Sequence, residues 1–226
     1  EEEWSYGDGE TKVVRLALDG LIIRESEESL FYQPIDKIEQ LIRSIRAAAN
    51  DEAVAAIVLE VNSPGGGITE SDELYHALRQ FKASREDRKV IVFMKDIAAS
   101  GGYYVAMAGD WLIAQPTAII GSIGVIMQTL NIQGLSEKIG VTDTTIKSGK
   151  NKDMLNPFHP VDPAQVALLQ ESVDDMYDRF LGLVAEGRAL KKSELKPLAD
   201  GRIFTAEEAL KHKLIDGIGY WEEAFD

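Results

Sequence analysis

One serine of this chain stands in a setting that suits nucleophilic chemistry. Ser100 lies in the run AASGGYY over residues 98–104, directly after the apolar strand predicted from Val90 to Met94. Residues without a Cβ let a substrate backbone approach closely, and the amide of Gly101 can point at a developing oxyanion. The pattern indicates either a serine nucleophile or a tight packing contact between helices.

A second glycine-rich turn follows the preceding predicted strand, Val54 to Asn62. The turn has the sequence SPGGG over residues 63–67 and leads into a helix predicted from Ser71 to Phe81. Exposed amides at such a turn bind a phosphate or an oxyanion. A phosphate loop is disfavoured because no Gly-Lys-Ser/Thr ends the run, and a dinucleotide site because the glycine spacing is wrong. A plain tight turn is the remaining alternative.

A serine nucleophile requires a base, and histidine is the usual one. The chain contains three histidines: His76, His159 and His212. Their sequence neighbours are typical of surface or packing positions rather than of a catalytic base. Lysine replaces histidine in the serine–lysine variants of the catalytic triad.

Three lysines lie close together in the segment 146–154: Lys147, Lys150 and Lys152. A lysine acts as a base only when it is neutral, so its pKa must fall from ~10.4 towards about 7 or 8. Burial and neighbouring cations both lower a lysine pKa. The same segment is also compatible with a solvated surface turn.

Five blocks of this sequence together resemble peptidase family S49, the serine–lysine signal peptide peptidases. The blocks are VNSPGGG over 61–67, AASGGYY over 98–104, the stretch 117–125 with GSIGV, the stretch 146–153 with IKSG and KD, and the stretch 200–219 with DGRIFT and LIDGIG. They occur in the family's order, and the resemblance runs from about residue 13 to residue 219.

The resemblance implies a role for five residues. It makes Ser100 the nucleophile and Lys152 the general base. It places the oxyanion hole at the amides of Gly66 and Gly101, and it assigns to Ser122 a hydrogen bond that holds the lysine amine. No metal or cofactor takes part in this chemistry.

The same resemblance leaves two other lysines, Lys147 and Lys150, as second-choice bases. Asp153 directly follows Lys152, and a carboxylate close to a lysine amine favours the charged form. We therefore expect the Asp153 side chain to point away from its neighbour. Tyr103 and Tyr104 are expected to be packing residues.

The elements that must position these residues alternate as strands and helices, which predicts an α/β fold of stacked strand-turn-helix units. Further strands are predicted over 12–18, 111–114, 118–127 and 142–147, and further helices over 34–49, 135–139 and 163–189. Thr69 with Asp72 suggests a helix cap, and Thr205 with Glu208 suggests a capping box. The family resemblance narrows the fold to the crotonase-like fold shared with Clp-type proteases.

Residues 12–226 read as one peptidase domain, without internal repeats or low-complexity segments. Residues 1–11 are polar and acidic and read as a linker or tail. Because Glu1 is not preceded by a methionine, we expect a longer chain, and the family resemblance suggests an N-terminal membrane anchor before residue 1. A natural disordered tail or an expression remnant is the alternative.

Composition excludes several classes of function. A net charge of −14 argues against nucleic-acid binding, and the absence of cysteine removes disulfides, cysteine nucleophiles and thiolate metal sites. No His/Asp/Glu pattern suggests a metal site. No apolar run in the sequence reaches the ~18 residues of a membrane span.

By resemblance, the expected activity is that of a serine endopeptidase that degrades residual signal peptides and other unfolded apolar peptides. The expected location is the extracytoplasmic side of a bacterial cell membrane, and the expected assembly is a homo-oligomeric ring or dome. The family often brings serine and lysine together from neighbouring subunits. The alternatives are a crotonase-like acyl-CoA hydratase or isomerase, and a catalytically silent S49-like scaffold in which the serine or lysine would be replaced.

Overall fold

The computed structural model describes residue 9, residues 11–24 and residues 36–221. The chain divides into two compact units. The first comprises residues 1–124 and 180–226, and the second comprises residues 125–179. The predicted division into a tail over 1–11 and a domain over 12–226 stays a prediction, because most of that tail lies outside the described residues.

The first unit is built on a seven-stranded sheet. Its strands are β1 (Lys12–Asp19), β2 (Val54–Ser63), β3 (Lys89–Ala99), β4 (Trp111–Ala114), β5 (Ile119–Gly121), β6 (Ile203–Thr205) and β7 (Gly217–Ile218). The strand order is β1-β2-β3-β4-β7, and β5 pairs with the end of β3 and with β6. Only the β5–β6 pairing is antiparallel among the described strands.

Helices connect and cover the strands. They are α1 (Lys37–Asn50), α2 (Ile68–Ala83), α3 (Gly101–Ala106), α4 (Gln133–Ile139), α5 (Pro163–Gly187), α6 (Lys192–Leu195) and α7 (Ala206–Lys211). The Asp36 carboxylate caps α1 by accepting hydrogen bonds from the amides of Ile38 and Glu39. The predicted capping box at the start of α7, formed by Thr205 and Glu208, is confirmed.

The core lies between the sheet and the helices of the first unit. Strand β2 is mostly apolar and mostly buried, as parallel strands covered on both faces are. Its Leu59 and Val61 and the Val92 and Met94 of β3 are fully buried. The central strands therefore form a rigid base for the turns that follow them.

Three predicted elements differ from the structure. The strand predicted over 118–127 ends at Gly121, because Gly121 and Ser122 have φ values of 105° and 50° that break the extended conformation. Helix α2 begins at Ile68 with Gly67 as its N-cap, so the cap predicted at Thr69 and Asp72 is wrong. The first part of the helix predicted over 34–49 lies outside the described residues, and the described helix starts at Lys37.

The second unit contains α4 and the first part of α5. The strand predicted over 142–147 is absent from the described residues of this unit. Side chains there bond locally instead: the Thr145 hydroxyl donates to Asp143 Oδ2 at 2.6 Å. Short polar side chains that bond to near neighbours compete with the regular hydrogen bonds of a strand.

No helix among residues 11–24 and 36–221 combines the length and the apolar character needed to cross a membrane.

Candidate active site

Ser100 occupies a strained turn between the end of β3 and the start of α3. Its φ and ψ are 50° and −121°, a conformation that a residue with a side chain rarely adopts. Two hydrogen bonds hold the turn: the Ser100 N–H donates to the Gly121 carbonyl at 2.8 Å, and the Ser100 carbonyl accepts from the Tyr104 N–H at 2.9 Å. A serine on a sharp strand-to-helix turn is the arrangement of a nucleophile elbow. Backbone strain of this kind is concentrated at functional sites.

The glycine-rich turn after β2 lies directly against the Ser100 turn. A Cβ at Gly65 would lie 2.6 Å from the Gly101 amide nitrogen and 2.8 Å from the Ser100 Cβ, and Gly65 has a φ of 100°. A Cβ at Gly66 would collide with the Ile22 backbone. Both positions therefore require glycine, for close approach and at Gly65 also for conformation.

A short parallel bridge fixes the glycine turn on its other side. The Ile22 N–H donates to the Gly65 carbonyl at 3.0 Å, and the Gly67 N–H donates to the Ile22 carbonyl at 2.7 Å. Inside the turn, the Gly65 N–H donates to the buried Ser63 hydroxyl at 3.1 Å. Between these positions lies the Gly66 N–H, which donates no hydrogen bond to any residue that the structure describes.

The two amides expected to form an oxyanion hole belong to neighbouring backbones. The Gly66 nitrogen lies 3.2 Å from the position that a Cβ of Gly101 would take. In the described part of the chain, neither the Gly66 nor the Gly101 N–H donates a hydrogen bond. Two adjacent uncommitted donors beside a half-buried serine can stabilise the oxyanion of a tetrahedral intermediate.

Ser122 lies next to Ser100 because of the register between β3 and β5. Ala99 is paired with Gly121, so each serine is the first residue after a paired position. Ser122 also has a φ of 50°, and its N–H donates to the Arg202 carbonyl at 2.8 Å. The structure thus places Ser122 beside the Ser100 turn. A residue that orients a base for Ser100 would have to lie there.

The two tyrosines after the serine turn serve packing, as expected. Tyr103 is fully buried and its hydroxyl donates to the Leu214 carbonyl at 2.6 Å. Burial raises the pKa of Tyr103, so it stays neutral. The Tyr104 hydroxyl donates to Asp72 Oδ1 at 2.6 Å. These contacts fasten α3, and with it the serine turn, to α2 and the C-terminal part of the first unit.

The lysine segment belongs to the second unit. Lys152 is exposed, and its side chain has no hydrogen-bond or ion-pair partner among the described residues. Lys147 instead forms a salt bridge with Asp153, with Nζ 2.6 Å from Oδ1. As predicted, the Asp153 carboxylate is directed to a partner other than Lys152.

A charged cluster that the sequence did not reveal surrounds Asp153. The hydrogen bond from Lys147 lowers the pKa of Asp153 below its usual range. His159 lies with Nδ1 3.6 Å from Asp153 Oδ2 and with Nε2 3.1 Å from Asp143 Oδ2. The Thr145 hydroxyl lowers the pKa of Asp143. The four charged side chains, Asp143, Lys147, Asp153 and His159, come from positions up to 16 residues apart, and no spacing pattern links them.

The cluster lines a cleft in the second unit. Lys147, Asp153 and His159 all contribute to its wall, and Val161 and Val166 add apolar surface. Among the described residues, no group of three or more His, Cys, Asp or Glu side chains could hold a metal ion.

A search of solved structures finds the same fold in a ClpP1 mutant from Listeria monocytogenes. The TM-score is 0.61 at 13% sequence identity, and the match covers 94% of each chain. At this identity the likeness concerns the fold alone. It confirms the predicted crotonase-like, Clp-type α/β fold.

Three curated relatives are similar in sequence. A protein of Enterococcus faecium named as a signal peptide peptidase SppA is 41% identical over 226 residues, which is all of this chain and 65% of that protein. A protein of Synechocystis named as a protease is 41% identical over 75% of this chain and 60% of its own length. The chloroplastic serine protease SPPA of Arabidopsis thaliana is 35% identical over 80% of this chain and 26% of its own length.

The chain therefore spans less than two thirds of the length of these relatives. A family profile described as peptidase family S49 matches residues 82–226, which include Ser100, Gly101, Ser122 and Lys152. The profile match, together with the Enterococcus faecium relative that matches all 226 residues, shows that this chain belongs to peptidase family S49.

Proposed function

We propose that this chain is the catalytic part of a serine endopeptidase in which Ser100 is the nucleophile and Lys152 the general base. The observation that carries the proposal is the strained turn at Ser100, with the uncommitted amides of Gly66 and Gly101 beside it. A plain packing turn gives no reason for a strained serine next to two free donors.

The proposed reaction follows from these positions. Neutral Lys152 takes the hydroxyl proton of Ser100, and Oγ attacks the carbonyl carbon of a peptide bond. The amides of Gly66 and Gly101 stabilise the negative charge on the carbonyl oxygen. The lysine then protonates the leaving amine, and water hydrolyses the acyl-enzyme with the lysine again as base. Ser122 holds the lysine amine beside Ser100.

The proposed substrates are residual signal peptides and other unfolded apolar peptides, cleaved at the extracytoplasmic side of a bacterial cell membrane. The relative from Enterococcus faecium, named as a signal peptide peptidase, supports this substrate class. We further propose a homo-oligomeric ring or dome. The exposed apolar side chains of the second unit support self-association, for example Ile126, Leu130 and Ile139, which are 84%, 73% and 65% exposed.

The two alternative functions receive less support from the geometry. A crotonase-like enzyme would use the glycine-turn amides but has no need for a strained serine at Ser100. A silent scaffold would not be expected to keep both a serine at 100 and a lysine at 152.

The proposal is tested with a fluorogenic unfolded peptide that contains an apolar segment. Ser100→Ala and Lys152→Ala should each lower the cleavage rate by several orders of magnitude, because loss of one member of a catalytic unit has effects of this size. Ser44→Ala on α1 and Lys138→Ala on α4 are the matched controls and should cleave normally. Circular dichroism should show that all four variants fold. Near wild-type cleavage by folded Ser100→Ala would overturn the proposal.

A further inference from the structure

The segment that carries Lys152 contains one carboxylate among three lysines. Asp153 immediately follows Lys152 in the chain, and its side chain is only 12% exposed. The carboxylate has turned into the second unit, where Oδ1 accepts a hydrogen bond from Lys147 at 2.6 Å. The Lys152 side chain is exposed. Of these two adjacent side chains, Asp153 is therefore held in a salt bridge, whereas Lys152 is exposed to solvent.

This arrangement matters because a carboxylate beside a lysine amine stabilises the ammonium form. A general base must spend enough time neutral to accept a proton. An Asp153 carboxylate that was free to rotate would be the nearest anion along the chain to the Lys152 amine. The salt bridge to Lys147 removes that competitor.

The second carboxylate oxygen is held less firmly than the first. Asp153 Oδ2 is buried and accepts no hydrogen bond from the described residues. The His159 ring lies at 3.6 Å from it, beyond hydrogen-bond reach, and this ring also faces Asp143 at 3.1 Å. Among the described residues, Lys147 is therefore the group that directs the Asp153 carboxylate.

We propose that Lys147 is a positioning residue for the general base: it binds the Asp153 carboxylate and so prevents that carboxylate from pairing with Lys152. The inference rests on the proposed function of Lys152. Lys147 itself takes no proton from the substrate or from Ser100. Its salt bridge also anchors the turn of residues 149–152, in which the Lys152 N–H donates to the Gly149 carbonyl at 3.1 Å.

The test is the pH profile of kcat/KM for cleavage of the unfolded peptide, measured with the full chain. Lys147→Gln should shift the rising limb of the profile to higher pH by about one unit or more, because it frees the carboxylate to pair with Lys152. Lys147→Arg restores a cation that can bind Asp153 and should keep the wild-type limb. Lys150→Gln removes one positive charge from the same segment and measures the effect of charge loss alone.

The double variant Lys147→Gln/Asp153→Asn is decisive. It removes the freed carboxylate, so the limb should return to the wild-type position even if kcat falls. A role of Lys147 in folding alone gives no reason for a second substitution to reverse the shift. An unshifted limb in Lys147→Gln, or a shift no larger than in Lys150→Gln, would overturn the proposal.

Two further outcomes separate this inference from the proposed function. Loss of all cleavage in Lys147→Arg would make Lys147 the base, since a guanidinium does not deprotonate in proteins. Retention of cleavage in Lys152→Ala would remove the proposed function itself. In that case the rising limb of the pH profile would not report on Lys152, and the proposed role of Lys147 would be wrong together with the proposed function.

Discussion

Ser100 and Ser122 are related by the parallel register of two strands. Each follows directly on a paired position, Ala99 with Gly121, and each has a φ of 50°. The Ser100 N–H donates to the Gly121 carbonyl at 2.8 Å, which ties the two turns together. The proposed roles of Ser100 as nucleophile and of Ser122 as the residue that orients the base require a fixed separation between the two turns, and this register is consistent with that requirement.

Ser122→Ala should lower kcat with little change in KM, because it would remove the proposed hydrogen bond to the base and no proposed contact with the substrate. The loss should be smaller than the about 10²–10⁴-fold contribution of the base itself. Steady-state kinetics against Ser44→Ala as control would measure it. Unchanged kcat would remove Ser122 from the mechanism.

Gly65→Ala should abolish most of the activity and lower the stability. The new Cβ would lie 2.6 Å from the Gly101 amide nitrogen, at a φ of 100°. Displacement of one oxyanion donor costs about 10²–10³-fold in kcat, and strain of this kind costs about 1–3 kcal/mol. Gly134→Ala in α4 is the matched control, because a Cβ there meets nothing within 4 Å. Equal behaviour of the two variants in cleavage and thermal unfolding would contradict this account of the turn.

Asp216 should contribute stability that depends on pH. Partial burial opposes ionisation of its carboxyl, but hydrogen bonds from Arg188 and the Leu112 N–H outweigh burial and lower the pKa of Asp216. A lowered folded-state pKa gives stability that is present above the unfolded value of ~3.9 and lost as the pH falls through the folded value. Asp216→Asn should therefore cost about 1–2 kcal/mol at neutral pH, less than the loss of a partner from a fully buried pair, because solvent screens this partly exposed carboxylate.

Urea unfolding of this variant between pH 7 and pH 2 provides the measurement. The difference from wild type should shrink below pH ~4. Asp87→Asn is the control, because its pair with Arg85 lies on the surface and should matter less. A difference that stays constant down to pH 2 would show that the Asp216 carboxylate acts through packing rather than charge.

The sequence predicted the first unit well because its signals are strong and local. The apolar strands before both glycine turns, and the glycines themselves, leave few alternative local structures for residues such as Gly65 and Ser100. The strand β3 is predicted to end at Met94 but continues to Ala99, since the charged residues Lys95 and Asp96 interrupt the apolar run on which the prediction rests. Its extension is what allows the pairing with β5 and the placement of Ser122.

The second unit was predicted less well for a physical reason. Residues 142–147 contain threonine and isoleucine, which favour strands, yet no strand forms there among the described residues. Local hydrogen bonds, such as that of Thr145 with Asp143, decide the conformation instead. The salt bridge of Lys147 with Asp153 joins side chains six positions apart outside any helix, and no periodicity predicts such a contact.

Subunit mixing should restore activity if the sites are shared between chains. Ser100→Ala and Lys152→Ala subunits are each expected to be inactive, but mixed oligomers would contain interfaces with an intact serine and an intact lysine. Cleavage measured after mixing, with exchange followed by mass spectrometry of intact oligomers, tests this. Confirmed exchange without recovery would show that each site lies within one chain.

Covalent labelling with a fluorophosphonate, followed by peptide mapping, tests the central claim most directly. The account predicts one modified serine, Ser100, because only an activated nucleophile with a nearby oxyanion hole reacts rapidly. Labelling should vanish in Ser100→Ala and become much slower in Lys152→Ala. Modification of a different serine, or efficient peptide cleavage by a chain whose Ser100 does not react, would contradict the account.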